Sequence, residues 1–371
     1  MRKRWPLLLA AVVLAGLVLA IPSIRDILWG MLRDEPLHEG WPLRYWLRAL
    51  RTGDAPARER AALALGELGP VSPEVLPALT AALGDEAYTV RRNAAQALGR
   101  IGPPARETGP ALIQALQDPD ARVRWAVARA VGQVQPDAAA AVPALMTLAR
   151  NERDGPTRDA AITSLGKFGP AAEPAIPVLV DALKVPPNYD SNPGEAARGA
   201  LREIGPAAIP ALIAACKQAN PRTRAGAAQA LGDMGEPARA AIPFLRALLE
   251  DREATVRVRA AEGLWKLDGQ LEDVVPVLAA ALQGSDGEAK ADALVALGNI
   301  GPKAGAAVDS LQGCLKDKNE LIRRTAAQTL AKIGPPAQAA LPALEAVSRE
   351  DEELDVRRAA AAAIEAIRTA R

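Results

Sequence analysis

Residues 90–105 read VRRNAAQALGRIGPPA, and residues 322–337 read IRRTAAQTLAKIGPPA. Most letters agree although more than two hundred positions separate the two stretches. A chain that returns to one pattern is built of modules, so the first quantity to extract is the period. Gly69, Gly102, Gly169, Gly205, Gly235, Gly301 and Gly334 mark corresponding positions, and Gln135 and Asp268 stand where two further copies lack the glycine. Eight steps from 69 to 334 give a period of about 33 residues, which is the spacing of stacked helical repeats.

Each period has one anatomy. A first segment carries apolar residues at helical spacing, as in Val90, Ala94, Ala97, Leu98 and Ile101. Gly-Pro then stops it, because glycine accepts a left-handed cap and proline cannot continue a helix. Eight residues after the marker comes a second proline, at Pro77, Pro110, Pro143, Pro177, Pro243, Pro276 and Pro342. Proline is tolerated in the first turn of a helix, where its missing N–H had no partner, so these prolines open a second helix. The copy around Gly205 is shortened, with Pro210 five residues on, and VPPNYDSNPGE at 185–195 lengthens the turn before it.

Charge recurs with the same period. Eleven residues before the markers stand Arg58, Arg91, Arg124, Arg158, Arg224, Arg257, Lys290 and Arg323, and Arg357 opens a last half-copy. Asp85, Asp118, Asp251, Asp317 and Asp351 precede Arg91, Arg124, Arg257, Arg323 and Arg357 by six. An Asp in the turn between copies accepts N–H bonds at the next helix start, and the Arg reaches it or its equivalent next door. A pair required at every step holds the steps in register. It is not a site of chemistry.

This pattern resembles the HEAT repeat family, with VR on the first helix, ALG in its middle and P-A-L opening the second. It is most similar to the short subtype of phycobilisome lyases, and the resemblance covers residues 41–371. It implies an all-α, right-handed α-solenoid of about nine to ten two-helix repeats, whose second helices line the face where partners sit. It also raises two enzyme alternatives, a bilin lyase and a di-iron hydroxylase. The latter needs several His-Glu pairs, and the chain offers only His38-Glu39.

Composition narrows the chemistry further. Basic and acidic residues number 45 and 44, so no global field draws the chain to nucleic acid. Aromatics make up 3%, and an Ala- and Leu-rich core suits closely packed helices. A single histidine removes sites built on two or more imidazoles within one chain. Cys216 and Cys314 show no CxxC pattern and fall on second helices three repeats apart, too far for a disulfide, so two free thiols are expected. No cofactor and no metal are implied.

The N-terminus carries a different signal. Arg2, Lys3 and Arg4 precede an uncharged run from Trp5 to Ile24, 20 residues long. That length suits a helix crossing a bilayer, with the basic cluster on the cytoplasmic side and the repeats beyond the cytoplasmic membrane. Val18 and Ala20 also fit cleavage before Ile21, which would leave a secreted or periplasmic protein. The expected organisation is a membrane anchor or signal peptide over 1–24, a linker over 25–40, and repeats over 41–371. Within 25–40, Leu28, Trp29, Met31 and Leu32 either rest on the membrane surface or cap the first repeat.

Partner contacts are sought on the second helices. Three residues beyond each second-helix proline or its equivalent stand Ile113, Met146, Val180 and Ile213, an apolar run flanking the core. Phe244 and the loop residues Tyr189 and Asp190 are further candidates. The expected function is a non-catalytic protein–protein interaction scaffold held at the membrane. A structural spacer or sensor of an envelope complex is the alternative, followed by a bilin-lyase-like enzyme.

Overall fold

The computed structural model describes Arg25, Gly30, Arg33 and residues 35–369. The chain divides into two compact units, Met1–Val178 with Asn188–Asn192, and Leu179–Pro187 with Pro193–Arg371. Both are stacks of helix pairs. In the first, Ala55–Leu68 pairs with Val75–Ala82, Tyr88–Ile101 with Gly109–Ala115, and Ala121–Val134 with Ala138–Asn151. In the second, pairs run from Pro193–Ile204 with Ile209–Ala215 to Glu320–Ile333 with Leu341–Glu350, and Leu354–Thr369 closes the row.

A leucine spine explains why the pairs stack. Leu79, Leu112, Leu145, Leu179, Leu212, Leu245, Leu278, Leu311 and Leu344 recur on the second helices, and all are fully buried. First helices answer with Leu65, Leu98, Val131, Leu165, Leu201, Leu231, Leu297 and Leu330, also fully buried. Burying one such side chain contributes about 1.5–3 kcal/mol, and no lone hairpin covers both of its leucines.

Small residues set how closely first helices approach. A Cβ built on Gly66 would stand 2.7 Å from the Ala97 Cα, and one on Gly232 would stand 2.5 Å from the Gly263 Cα. Glycine inside a helix costs about 1 kcal/mol against alanine, and this backbone contact is what it gains in return. The glycine of the ALG triplet is thus a packing residue.

The turns follow the expected chemistry with two differences. Gly102 sits at φ 72°, ψ −141°, a region open essentially to glycine alone. Where the glycine is missing, the two copies diverge. Gln135 itself adopts the left-handed conformation at φ 50°, ψ 63°, and its Nε2 donates to the Lys167 carbonyl at 2.6 Å. Asp268 instead stays helical and Gly269 takes the cap at φ 69°. Beyond most caps the chain runs through a 3-10 turn, such as Pro103–Thr108, before the second helix. Pro110, Pro177, Pro210, Pro243 and Pro342 lie in the opening turns of their helices. Pro143 lies inside Ala138–Asn151, because that helix begins early without a 3-10 turn.

Two expectations about the N-terminus are corrected. No described helix is long and apolar enough to cross a membrane. The longest, Leu354–Thr369, has 16 residues. At about 1.5 Å per residue it spans roughly 24 Å, short of an about 30 Å hydrocarbon core, and it carries charge throughout. The transmembrane helix and the single-pass placement with repeats outside the cytoplasm are therefore unsupported. The run 5–24 and the cleavage position at Ala20 lie outside the described residues, as do Leu28, Trp29, Met31 and Leu32. The described linker residues are not purely helical: Leu37–His38 and Trp41–Pro42 form a two-stranded antiparallel ribbon. Trp41 stacks on Tyr45 with ring centroids 4.1 Å apart, and buried Trp46 donates from Nε1 to the His38 carbonyl at 3.3 Å. This aromatic cluster sits at the head of the Leu43–Thr52 helix, which packs on Ala55–Leu68.

Replacement of Gly102 by alanine meets open space, since no atom lies within 3.7 Å of a built Cβ, so its cost is backbone strain alone. Gly102→Ala is expected to lower unfolding free energy by about 1–3 kcal/mol in urea titrations.

Candidate functional site

The basic and acidic residues of the repeat meet across neighbours. Arg58 Nε lies 2.7 Å from Asp85, Arg91 Nε 2.6 Å from Asp118 and Arg124 Nε 2.6 Å from Glu152 in the first unit. In the second, Arg224 Nε is 2.7 Å from Asp251, Lys290 Nζ 2.7 Å from Asp317 and Arg323 Nε 2.7 Å from Asp351. The acid stands 27 or 28 residues after its base. The six-residue spacing has another meaning: Arg91 Nη1 donates to the Asp85 carbonyl at 2.8 Å, and Arg323 Nη1 to the Asp317 carbonyl at 3.0 Å. Arg257 and Arg357 make the same backbone clip to Asp251 and Asp351. Each carboxylate also accepts the N–H two residues on, as Asp85 does from Ala87 at 2.9 Å. One arginine thus ties its own turn to the next repeat's turn.

Electrostatics agree with the geometry. Burial by itself would raise the Asp251 carboxyl. The Arg224 hydrogen bond, the Glu253 N–H and the nearby charges outweigh it and hold the group below its ordinary value. The hydrogen bonds from Lys290 and Arg323 do the same for Asp317 and Asp351.

A second set of charges lies on the first helices of the second unit. Lys266 Nζ is 2.8 Å from both Asp233 and Glu262, and Arg259 Nη2 is 2.6 Å from Asp292. Burial pushes the Asp292 carboxyl up to about 6 despite Arg259, and Glu288, Glu262 and Asp286 push the same way. Nothing in the glycine and proline pattern marks this network. Its members sit between the repeated landmarks and become neighbours only on stacking.

On the second-helix side, a cleft of about 470 Å³ opens between Gly109–Ala115 and Ala138–Asn151. Ile113, Ala144, Thr147 and Leu148 give it an apolar floor, and the Arg124–Glu152 pair closes one end. A cleft of about 380 Å³ lies in the equivalent place nearer the N-terminus, floored by Leu50, Pro77, Ala78 and Ala81 and reaching Asp85. Of the candidates, Ile113 lines the first cleft and Met146, one residue from it, does not. Ile113, Met146, Ile213 and Phe244 are half-buried. Val180 is buried and faces the core. Lys217 Nζ lies 5.0 Å from the Phe244 ring centre. Tyr189 is fully exposed, and Asp190 is exposed beside it. Their loop is anchored where the Asn192 N–H donates to Asp159 at 2.7 Å and Ser191 packs against Gly155. The position after each candidate is exposed and mostly small, as at Ala81, Ala214, Ala247, Ala280 and Gly313.

Both cysteines are free and buried, and burial pushes the Cys216 thiol up to about 12. Among the described residues, no three His, Cys, Asp or Glu side chains are grouped to hold a metal ion.

The sequence matches HEAT repeats over residues 43–107, 109–192, 189–265 and 274–365, and the chain belongs to the HEAT repeat family. The match is to the repeat at large and does not single out the phycobilisome lyase subtype. Comparison with curated proteins returns no match. Among solved structures, the karyopherin Kap121p bound to Nup53p is similar with a TM-score of 0.63 and 16% identity, over 89% of this chain and 42% of that one. Kap121p bound to the extreme C-terminus of the protein phosphatase Cdc14p gives 0.62 and 16%, over 89% and 42%. Importin beta gives 0.61 and 15%, over 87% and 52%. At such identity the likeness is one of fold, and the chain spans about half the length of these structures or less.

Two outcomes follow from the charges. Arg224 and Asp251 have side chains only 9% exposed, so Arg224→Ala strands a buried carboxylate and is expected to cost about 3 kcal/mol. Arg257→Ala breaks backbone hydrogen bonds alone and is expected to cost about 1 kcal/mol. Equilibrium unfolding of the two variants checks the difference. The pH response has two windows. Carboxylates held below their ordinary value, such as Asp251, Asp317 and Asp351, add stability above that value which is lost as pH falls through their folded values. Asp292 has the opposite sign: its raised carboxyl favours the folded state at low pH, and stability is lost as pH rises through about 6. Asp292→Asn should flatten the second loss, measured by urea titration from about pH 5 to about pH 7.

Proposed function

We propose that this protein is a non-catalytic scaffold that binds other proteins along its second helices. The reading rests on the cleft between Gly109–Ala115 and Ala138–Asn151. It has an apolar floor, exposed Gln117 and Thr147 at its edges, and a charge pair at one end. Such a groove suits the apolar side of a peptide or helix, with polar groups left to fix its direction. The exposed small side chains that follow each candidate position leave the strip beside it open to a backbone. Family membership supports the same reading, because stacked repeats present long surfaces rather than enclosed pockets. The Kap121p structures, by their descriptions, hold segments of other proteins on a similar fold. Ile113 is the candidate residue placed best for contact. The Tyr189–Asp190 loop is a second point of attachment, and Phe244 under Lys217 is a third.

Filling the cleft tests this. Gln117→Trp with Thr147→Trp changes exposed residues and is expected to leave far-UV circular dichroism and melting temperature unchanged. Proteins crosslinked to the full chain and identified by mass spectrometry should fall about tenfold, because an aromatic pair occupies the volume a partner needs. An unchanged partner set, in this variant and in one lacking Tyr189 and Asp190, would rule the reading out.

A further inference from the structure

In five rungs of the ladder the fork formed by Nε and Nη2 of an arginine grips a carboxylate from the next turn. Arg257 occupies the same register and is held in the same way. Its Nη1 donates to the Asp251 carbonyl at 2.7 Å and the Arg252 carbonyl at 3.1 Å. Arg224 makes the equivalent pair of bonds to Gln218 at 2.9 Å and Ala219 at 2.8 Å. The difference lies on the other side of the fork. Twenty-seven residues on stands Gly284, followed by Ser285. No ion pair to Arg257 is formed among the described residues.

The backbone at Gly284 is built for an acid that the sequence does not supply. Its φ of −71° and ψ of 170° are extended, like the −63° and 138° of Asp351, which closes the Arg323 rung. Neighbouring acids are committed elsewhere. Asp286 accepts from the Glu288 and Ala289 N–H groups on one oxygen and from the Thr255 hydroxyl on the other. Asp251 is gripped by Arg224 at 2.7 Å and 2.8 Å. Arg158 also lacks an acid at the corresponding position, which holds Val185 and Pro186. Among the described residues it makes no backbone clip, so its guanidinium is not held in the same plane.

We propose that the Arg257 fork is a binding seat for a carboxylate supplied from outside the chain, presented by an acidic side chain or C-terminus of a protein partner laid across the turn at Gly284. The clip has already fixed the plane of the guanidinium, so little side-chain freedom is lost when a carboxylate enters it bidentately. Glycine leaves the approach uncovered, since a Cβ there would meet only the Ala281 carbonyl at 3.3 Å and the Asp286 nitrogen at 4.0 Å. A carboxylate fits better than a phosphate. The seat is one planar fork, and the nearby cation Lys290 is already engaged by Asp317 at 2.7 Å. The identity of the ligand rests on the scaffold reading above; the seat itself does not.

The test follows the Arg257 Nε–H resonance in ¹⁵N–¹H spectra of the full chain, assigned by its loss in Arg257→Lys. The probes are sodium acetate, a hexapeptide rich in Asp and Glu, and sodium chloride as control. Acetate and peptide are expected to shift the resonance saturably beyond the chloride control. Gly284→Asp should abolish the response by filling the fork from within, and should raise the melting temperature by completing the rung. Arg257→Lys keeps the charge but loses the fork, and should weaken peptide binding about tenfold by fluorescence anisotropy. A shift with acetate alone supports the seat and overturns the protein partner. No shift beyond chloride, or one that persists in folded Gly284→Asp, overturns the seat. If Gly284→Asp fails to fold, equal peptide affinity of wild type and Arg257→Lys overturns it instead.

Discussion

The structure depends on a surface that no single helix pair can hide. Leu98 and Leu112 belong to one repeat, yet both are fully buried because neighbouring helices cover them. Stacking is therefore the only way this composition reaches a core. Aromatics are nearly absent from that core, and leucine on alanine fills it instead. Close helix approach then becomes a requirement, which accounts for the glycines placed inside first helices against Ala97 and Gly263. The cost of helical glycine is offset by backbone contact that no larger residue would permit.

The charge ladder is second to that apolar order and depends on it. Its arginines span two turns at once, with one nitrogen on their own carbonyls and two on a neighbour's carboxylate. Such a bond set is directional where leucine packing is not, so it selects one register among several that would bury similar area. Replacement of Asp by Glu152, one residue later, shows how much variation the rung accepts: the longer side chain reaches Arg124 at 2.6 Å from a displaced backbone. The same logic makes the incomplete rung at Arg257 conspicuous, because the guanidinium is oriented with no internal acid to face.

Much of this was legible in the residues alone. The period, the two helices per repeat, the glycine caps and the basic and acidic rows are all local or strictly periodic signals. Ile113, Met146, Ile213 and Phe244 were placed at the rim of the core by helical spacing, and they lie half-buried there. Val180 shares their register but lies closer to the core. The pairing of the charges was ambiguous, since a six-residue spacing fits a bond within one repeat or between two. The network of Asp233, Lys266, Arg259 and Asp292 had no signature, because its members are distant in sequence and irregular in position. The apolar run near the N-terminus met the length rule for a membrane helix, but a length rule applied to unplaced residues is an expectation only.

The sequence by itself determined that this protein is a row of helix hairpins, because the helix, the cap and the repeat are written every 33 residues or so and need only nearby atoms to act. The tertiary structure alone decided which arginine meets which carboxylate, where a cleft opens between second helices, and that one fork faces a glycine. Those outcomes depend on distances between repeats, and such distances exist only after the leucine faces have been buried against one another.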